Sequence, residues 1–189
     1  TTFRLVCALA CQYQLELHQT DVSTAFLVPE LKEEIYMRLP EQPLVDLHLP
    51  DYSTSPLVRL HKTLYGLVQS PREFYLHFTK VITKMGFTQS GLDPCLWLKV
   101  EHGRLVAAIA IYVDDCAIAA ISREIPGIKA ALQRSFSMTD GGPISWFLGV
   151  QLRRDTSAGT LTLDQSAAIN RLLSRYSMGD CAPVSIPMD

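Results

Sequence analysis

The chain has 189 residues, 48% of them hydrophobic and 19% charged, so it can bury the core of one domain, or of one domain with a small annex, and wholesale disorder is excluded. A net charge of −2 is not the signature of a strong nucleic-acid binder, and no apolar run approaches the roughly 18 residues of a membrane span, so no membrane partner is expected. Five cysteines without a C-x-x-C pair suggest neither a disulfide framework nor a zinc site; buried free thiols in a reducing compartment fit best.

Phe3, Leu5, Val6, Leu9, Ala10 and Tyr13 recur at helical spacing, which predicts an amphipathic helix over 2–13. Thr1 opens straight into it, with no initiating Met and no signal-peptide pattern, as expected of a piece cut from a longer chain. "LELHQTDV" (15–22) changes to period two and predicts a strand ending near Asp21. "EEIYMRLP" (33–40) reads as a short strand, 41–56 as a loop, and "LVRL" (57–60) as another short strand. Ser70, Pro71 and Glu73 predict a helix start with a capping box, followed by an apolar stripe from Phe74 to Met85 and a stop at Gly86. "CLWLKV" and "RLVAAIAIYV", joined by "EHG", predict a hairpin; "CAIAA" (116–120) predicts a further strand. A helix is expected over Glu124–Arg134. "ISWFLGVQL" (144–152) and "TLTLDQ" (160–165) should form a second hairpin. A last helix should run from Gln165 to Tyr176 with Ile169, Leu172, Leu173 and Tyr176 facing inward. The pattern predicts an α+β fold with an antiparallel sheet backed by helices and a small β-hairpin and helix at the C-terminal end.

Asp114 and Asp115 stand side by side between two apolar runs. Adjacent carboxylates repel each other and are costly to desolvate, so they need either a solvated turn or a cation. Taken alone, "DD" is better accounted for by a plain solvated turn, where Asp is common. With Asp21 as a third carboxylate from a neighbouring strand, the cluster would suit divalent ions with a preference for oxygen, such as Mg²⁺. Strand parity complicates this: Asp21 shares the parity of Leu15 and Leu17, so a bulge or strand end near Gln19–Thr20 would be needed to turn it outward. Charge is also uneven. Residues 21–51 hold seven acids against two bases, and 52–104 hold seven bases against three acids. That pattern is compatible with metal and phosphate chemistry, and equally with a mixed surface.

Six blocks in order, "LHQTDVSTAFL" (17–27), "LKEEIYMRLP" (31–40), "LHKTLYGLVQSPREFY" (60–75), "IYVDD" (111–115), "WFLGVQL" (146–152) and "LDQSAAINRLLSRYSM" (163–178), cover nearly the whole chain. Together they resemble the reverse transcriptase of copia-type LTR retrotransposons. The resemblance implies a right-hand polymerase palm over 1–143 and a primer-grip hairpin with the beginning of a thumb over 144–189. It implies an RNA-directed DNA polymerase that adds dNTPs to a primer on an RNA or DNA template. Asp21, Asp114 and Asp115, with the carbonyl of Val22, would hold two Mg²⁺ ions, Mn²⁺ being possible in their place. Tyr112 would support the primer end. Phe26, a core residue on periodicity alone, would be the steric gate that excludes a ribose 2′-OH. Gly66 and Gln69 would line the nucleotide pocket. Arg72, Trp146, Phe147 and Gly149 would meet nucleic acid, although Trp146 and Phe147 could equally be hairpin packing. Many relatives carry lysine where this chain has Val68, so one basic contact is missing. Fingers upstream and a ribonuclease H part downstream would be partners within a polyprotein, in an intracellular particle or the nucleus, and the isolated chain would polymerise poorly or not at all. The alternative, from a different class, is an inactive retroelement-derived domain acting only in binding or assembly.

Overall fold

The structure, a computed structural model, describes residues 2–38 and 57–185. The loop expected over 41–56 lies outside them, as does the end of the strand expected over 33–40, whose described part is β2 (Tyr36–Arg38), paired with β3 (Leu57–Arg59).

The chain opens with α1 (Thr2–Gln12) and turns through Gln14 at positive φ into β1 (Glu16–Val22). The one-turn 3₁₀ segment η1 (Ala25–Leu27) follows, and after β2 and β3 comes α2 (Ser70–Lys84). Then come β4 (Thr88–Gln89), β5 (Leu96–Glu101), β6 (Arg104–Tyr112), β7 (Asp115–Ala120), α3 (Ile125–Gln133) and β8 (Met138–Pro143). β1 and β4–β8 form one antiparallel sheet in the order β4-β5-β6-β7-β1-β8. The sequence pattern did not reveal β8. Its "MTDGGP" carries two glycines and a proline, which is tolerable only because it is an edge strand.

β6 and β7 read as continuous apolar runs because both faces of the sheet are covered. In the middle of the two strands residue size divides the two faces, although Ala107 and Ala120 lie on the isoleucine side farther from the turn. Ala108, Ala110, Ala117 and Ala119 lie against Val6, Cys7 and Ala10 of α1, so small side chains let that helix approach the sheet closely. Ile109, Ile111 and Ile118 point the other way, into Phe74, Phe78 and Ile82 of α2, Ile128 and Leu132 of α3, and Phe136. Between β5 and β6, His102 and Gly103, both at positive φ, make the two-residue turn that the strand twist favours.

Three expectations need correction. The capping box does not form. The Ser70 hydroxyl donates back to the Leu64 carbonyl at 2.6 Å, Gln69 occupies the N-cap without a side-chain cap, and Glu73 takes hydrogen bonds from Lys32 and Arg72 instead. Residues 144–152 are not one strand. Leu148 and Gly149, both at positive φ, fold β9 (Trp146–Phe147) onto β10 (Val150–Asp155), which pairs on its other edge with β11 (Thr160–Asp164). Finally, α4 (Ser166–Arg175) buries no residue: Ile169 and Leu172 are both 54% exposed and Tyr176, at its C-cap, is 64% exposed. Of the four residues expected to face inward, only Leu173 is half-buried.

All five cysteines are free, but only Cys7 and Cys116 are buried; Cys181 is exposed. Burial, and then neighbouring Cys11, pushes the Cys7 thiol up to about 11, so it stays protonated at neutral pH. No helix among the described residues is long and apolar enough to cross a membrane.

Candidate active site

The β6–β7 hairpin closes on a two-residue turn, Val113–Asp114, between the paired residues Tyr112 and Asp115. Val113 has φ 57°, an outlier for a β-branched residue and worth about 1–3 kcal/mol of local strain. The sequence gives no hint of this, since valine is a poor residue for such a turn. The hairpin is held from the side by β1, where the Val22 N–H donates to the Asp114 carbonyl at 3.0 Å.

Asp21 stands directly opposite Asp115 in the β1–β7 ladder. The register runs without a break from Glu16↔Ala120 to Asp21↔Asp115, so Asp21 keeps the face of Leu17. The expected bulge exists, but on the other side: the β1–β8 ladder shifts between Gln19 and Thr20, with Gly141 as the extra residue on β8. A Cβ on Gly141 would come within 2.5 Å of the Gln19 side chain, so a larger residue there would have to displace Gln19. Asp21 reaches solvent because its end of that face is uncovered, not because the strand reverses.

Three carboxylates therefore meet at one end of the sheet. Burial, then the charges of Asp114 and Asp21, push the Asp115 carboxyl above the usual aspartate range. No Lys, Arg or His among the described residues forms an ion pair with any of the three. Beneath them, the fully buried Cys116 thiol is pushed far up, by burial first and then by the same carboxylates. The donor chemistry, hard oxygens with uncompensated negative charge, fits a divalent cation. No group of three or more His, Cys, Asp or Glu among the described residues, this trio included, is already arranged to hold a metal ion.

Tyr112 projects at the same sheet end, 58% exposed. Phe26 lies five residues beyond Asp21, after a left-handed turn at Thr24, in η1. Its ring is half-buried, 4.9 Å from that of Tyr65 and 6.2 Å edge-on from Phe74. Phe26 and the 65–69 block are thus neighbours. Gly66 sits at φ 96°, which disfavours any other residue, and Val68 is 95% exposed. Gln69 begins α2, and exposed Arg72 lies 3.1 Å from buried Glu73, which Lys32 approaches at 3.0 Å from the opposite segment. The Lys32 hydrogen bond, ahead of the two nearby cations, holds the Glu73 carboxyl below its usual range.

The remaining sequence-predicted residues sit apart, in the three-stranded sheet. Gly149 shapes the turn at φ 78°. Phe147 is buried, its ring 4.6 Å from Phe3 of α1, whereas Trp146 is 43% exposed. Of the two aromatic side chains, Trp146 is the one presented to solvent. Val113, Thr63 and Tyr65 all lie inside the ordered blocks without a signal of their own; the left-handed turn singles out the first, and contact with Phe26 the other two.

The family model described as reverse transcriptase (RNA-dependent DNA polymerase) matches residues 1–189. The chain belongs to this reverse transcriptase family. Over its whole length it is 35% identical to a retrovirus-related Pol polyprotein from transposon TNT 1-94 of Nicotiana tabacum, and 32% identical to one from transposon RE2 of Arabidopsis thaliana. A putative transposon Ty5-1 protein of Saccharomyces cerevisiae is 33% identical over 89% of the chain, which spans 53% of that protein. These relatives include copia-type retrotransposon Pol polyproteins, and this reverse transcriptase chain spans 14% and 12% of the length of the first two.

Proposed function

We propose that this reverse transcriptase chain is the polymerising palm of a retrotransposon Pol polyprotein, joining dNTPs to a primer 3′-OH on an RNA or DNA template. The observation that carries the reading is the meeting of Asp21, Asp115 and Asp114 at one sheet end with no cation paired to them among the described residues. Asp21, Asp114, Asp115 and the Val22 carbonyl would hold two Mg²⁺, or Mn²⁺. When bound, such ions lower the pKa of the attacking hydroxyl and neutralise the leaving pyrophosphate. The chain's own residues supply position. The strained Val113 turn fixes where Asp114 and Asp115 point, and the Val22–Asp114 hydrogen bond locks β1 to that turn. Tyr112, exposed beside the acids, would support the primer end.

Phe26 would stand under the incoming sugar and exclude a 2′-OH, with Gly66 and Gln69 along the nucleotide and Arg72, Trp146 and Gly149 toward nucleic acid; buried Phe147 would contribute by shaping that hairpin. The division at 143/144 into palm and primer-grip hairpin with thumb start is part of the same reading. Fingers and ribonuclease H elsewhere in the polyprotein would be its partners, in an intracellular particle or the nucleus.

Primer extension on an RNA template with Mg²⁺ or Mn²⁺ tests it, using this chain and a longer Pol segment, each with Asp115→Asn. Extension by wild type that falls at least about 100-fold in the variant is expected, the scale of losing a preorganised charge at the reacting centre. Extension that survives Asp115→Asn would refute the mechanism. Extension from neither wild-type protein would favour a role in binding or assembly alone.

A further inference from the structure

We infer that Thr63 is a positioning residue for Phe26, so that a buried hydroxyl some 37 positions away sets how far the aromatic wall stands from the sugar. The consequence for sugar choice rests on the reading of Phe26 as the gate; the positioning itself does not.

Thr63 is 1% exposed, and its side chain has one polar atom to satisfy. That hydroxyl donates to the Phe26 carbonyl at 2.5 Å. Its backbone N–H donates to the Pro29 carbonyl at 3.1 Å, so one residue grips both ends of the turn that carries the ring. On either side, Leu31 N–H donates to His61 and an isolated bridge joins Glu30 to Lys62. The 60–66 segment therefore lies alongside 26–31 as a rail. The rail is anchored in turn, because the Ser70 hydroxyl, fully buried, holds the Leu64 carbonyl.

The Phe26 ring needs such a rail. The 3₁₀ segment that bears it is three residues long, enters through Thr24 at φ 54°, and has no side-chain cap. Its own hydrogen bonds, Leu27 to Thr24 and Val28 to Ala25, leave the Phe26 carbonyl to Thr63. The ring then rests between Phe74 on the core side and Tyr65, itself two residues from Thr63, on the solvent side. Removing the hydroxyl strands a carbonyl, and the segment would relax by letting the ring move against Tyr65.

The test has two readouts. In the unaltered chain, NMR should find the Thr63 hydroxyl proton slow to exchange and the Phe26 and Tyr65 rings in contact. Thr63→Val should weaken that ring contact and Thr63→Ser should keep it. In primer extension by the Pol segment, Thr63→Val should lower discrimination against ribonucleotides about threefold to tenfold, the span of one net hydrogen bond. It should act mainly through KM for the nucleotide, with Thr63→Ser near wild type and Phe26→Val the fully relaxed control. A freely exchanging hydroxyl, or an unchanged ring contact in Thr63→Val, overturns the positioning role. Unchanged discrimination in Thr63→Val while Phe26→Val relaxes it overturns the functional consequence. Unchanged discrimination in Phe26→Val removes the gate itself and leaves the positioning to be decided by the ring contact.

Discussion

At residue scale the opposed acids dominate. Asp115 faces Asp21 across β1–β7 and adjoins Asp114, and like charges directly opposite in a sheet destabilise it by up to about 1 kcal/mol. Its folded pKa lies above the unfolded value, so its contribution to stability is fully present below the ordinary aspartate pKa of about 3.9 and is lost as pH rises through the raised value. Asp115→Asn should therefore raise the thermal midpoint at pH 7, by about 2–4 °C if the full 1 kcal/mol is recovered, and should lose that advantage below about pH 4. Parallel thermal melts at the two pH values check it, and an equal gain at both would point to a cause other than charge. Val113→Gly should relieve the left-handed strain and stabilise the chain by about 1 kcal/mol, read as a shift in urea midpoint. The same change should slow primer extension, since it frees the turn that aims Asp114 and Asp115.

Among the elements, α1 is fastened by a side chain from the far end of the sequence. Arg154 of β10 donates to the carbonyls of Leu15 and, at 3.2 Å, Ala10, at the end of that helix. Arg154→Met keeps much of the stem and removes both donors, and should cost about 2–3 kcal/mol in urea unfolding as charge-assisted bonds are lost. The alanine face under α1 should be equally intolerant: Ala117→Leu has no space and should cost about 1–3 kcal/mol. By contrast, Leu172→Ser on α4 should change stability by less than about 0.5 kcal/mol, because that side chain is half exposed. A loss of 2 kcal/mol there would mean that the stripe is packed. The sequence pattern made Ile169, Leu172 and Tyr176 look inward because amphipathicity reports that a helix has an apolar face, not that the described chain contains its cover.

For the molecule as a whole, the helices and the long strands were legible because period and burial agree in them. The apolar runs of β6 and β7 could be read as strands, but the alternation of alanine and isoleucine that sorts their two faces becomes meaningful only once helices lie on both sides. β8 escaped because "GGP" argues against a strand unless its edge position is known. The acids were singled out as a set through the ordered blocks, and the ladder sets Asp21 opposite Asp115. Parity misled about Asp21, since it says which face a side chain takes and not where along the strand that face is left uncovered. The most direct test of the three carboxylates as a metal-holding centre is Mn²⁺ binding followed by electron paramagnetic resonance, with template, primer and an unreactive dNTP analogue present. Binding by wild type that is lost in Asp21→Asn and in Asp115→Asn is the predicted result, and equal binding by all three proteins would contradict it.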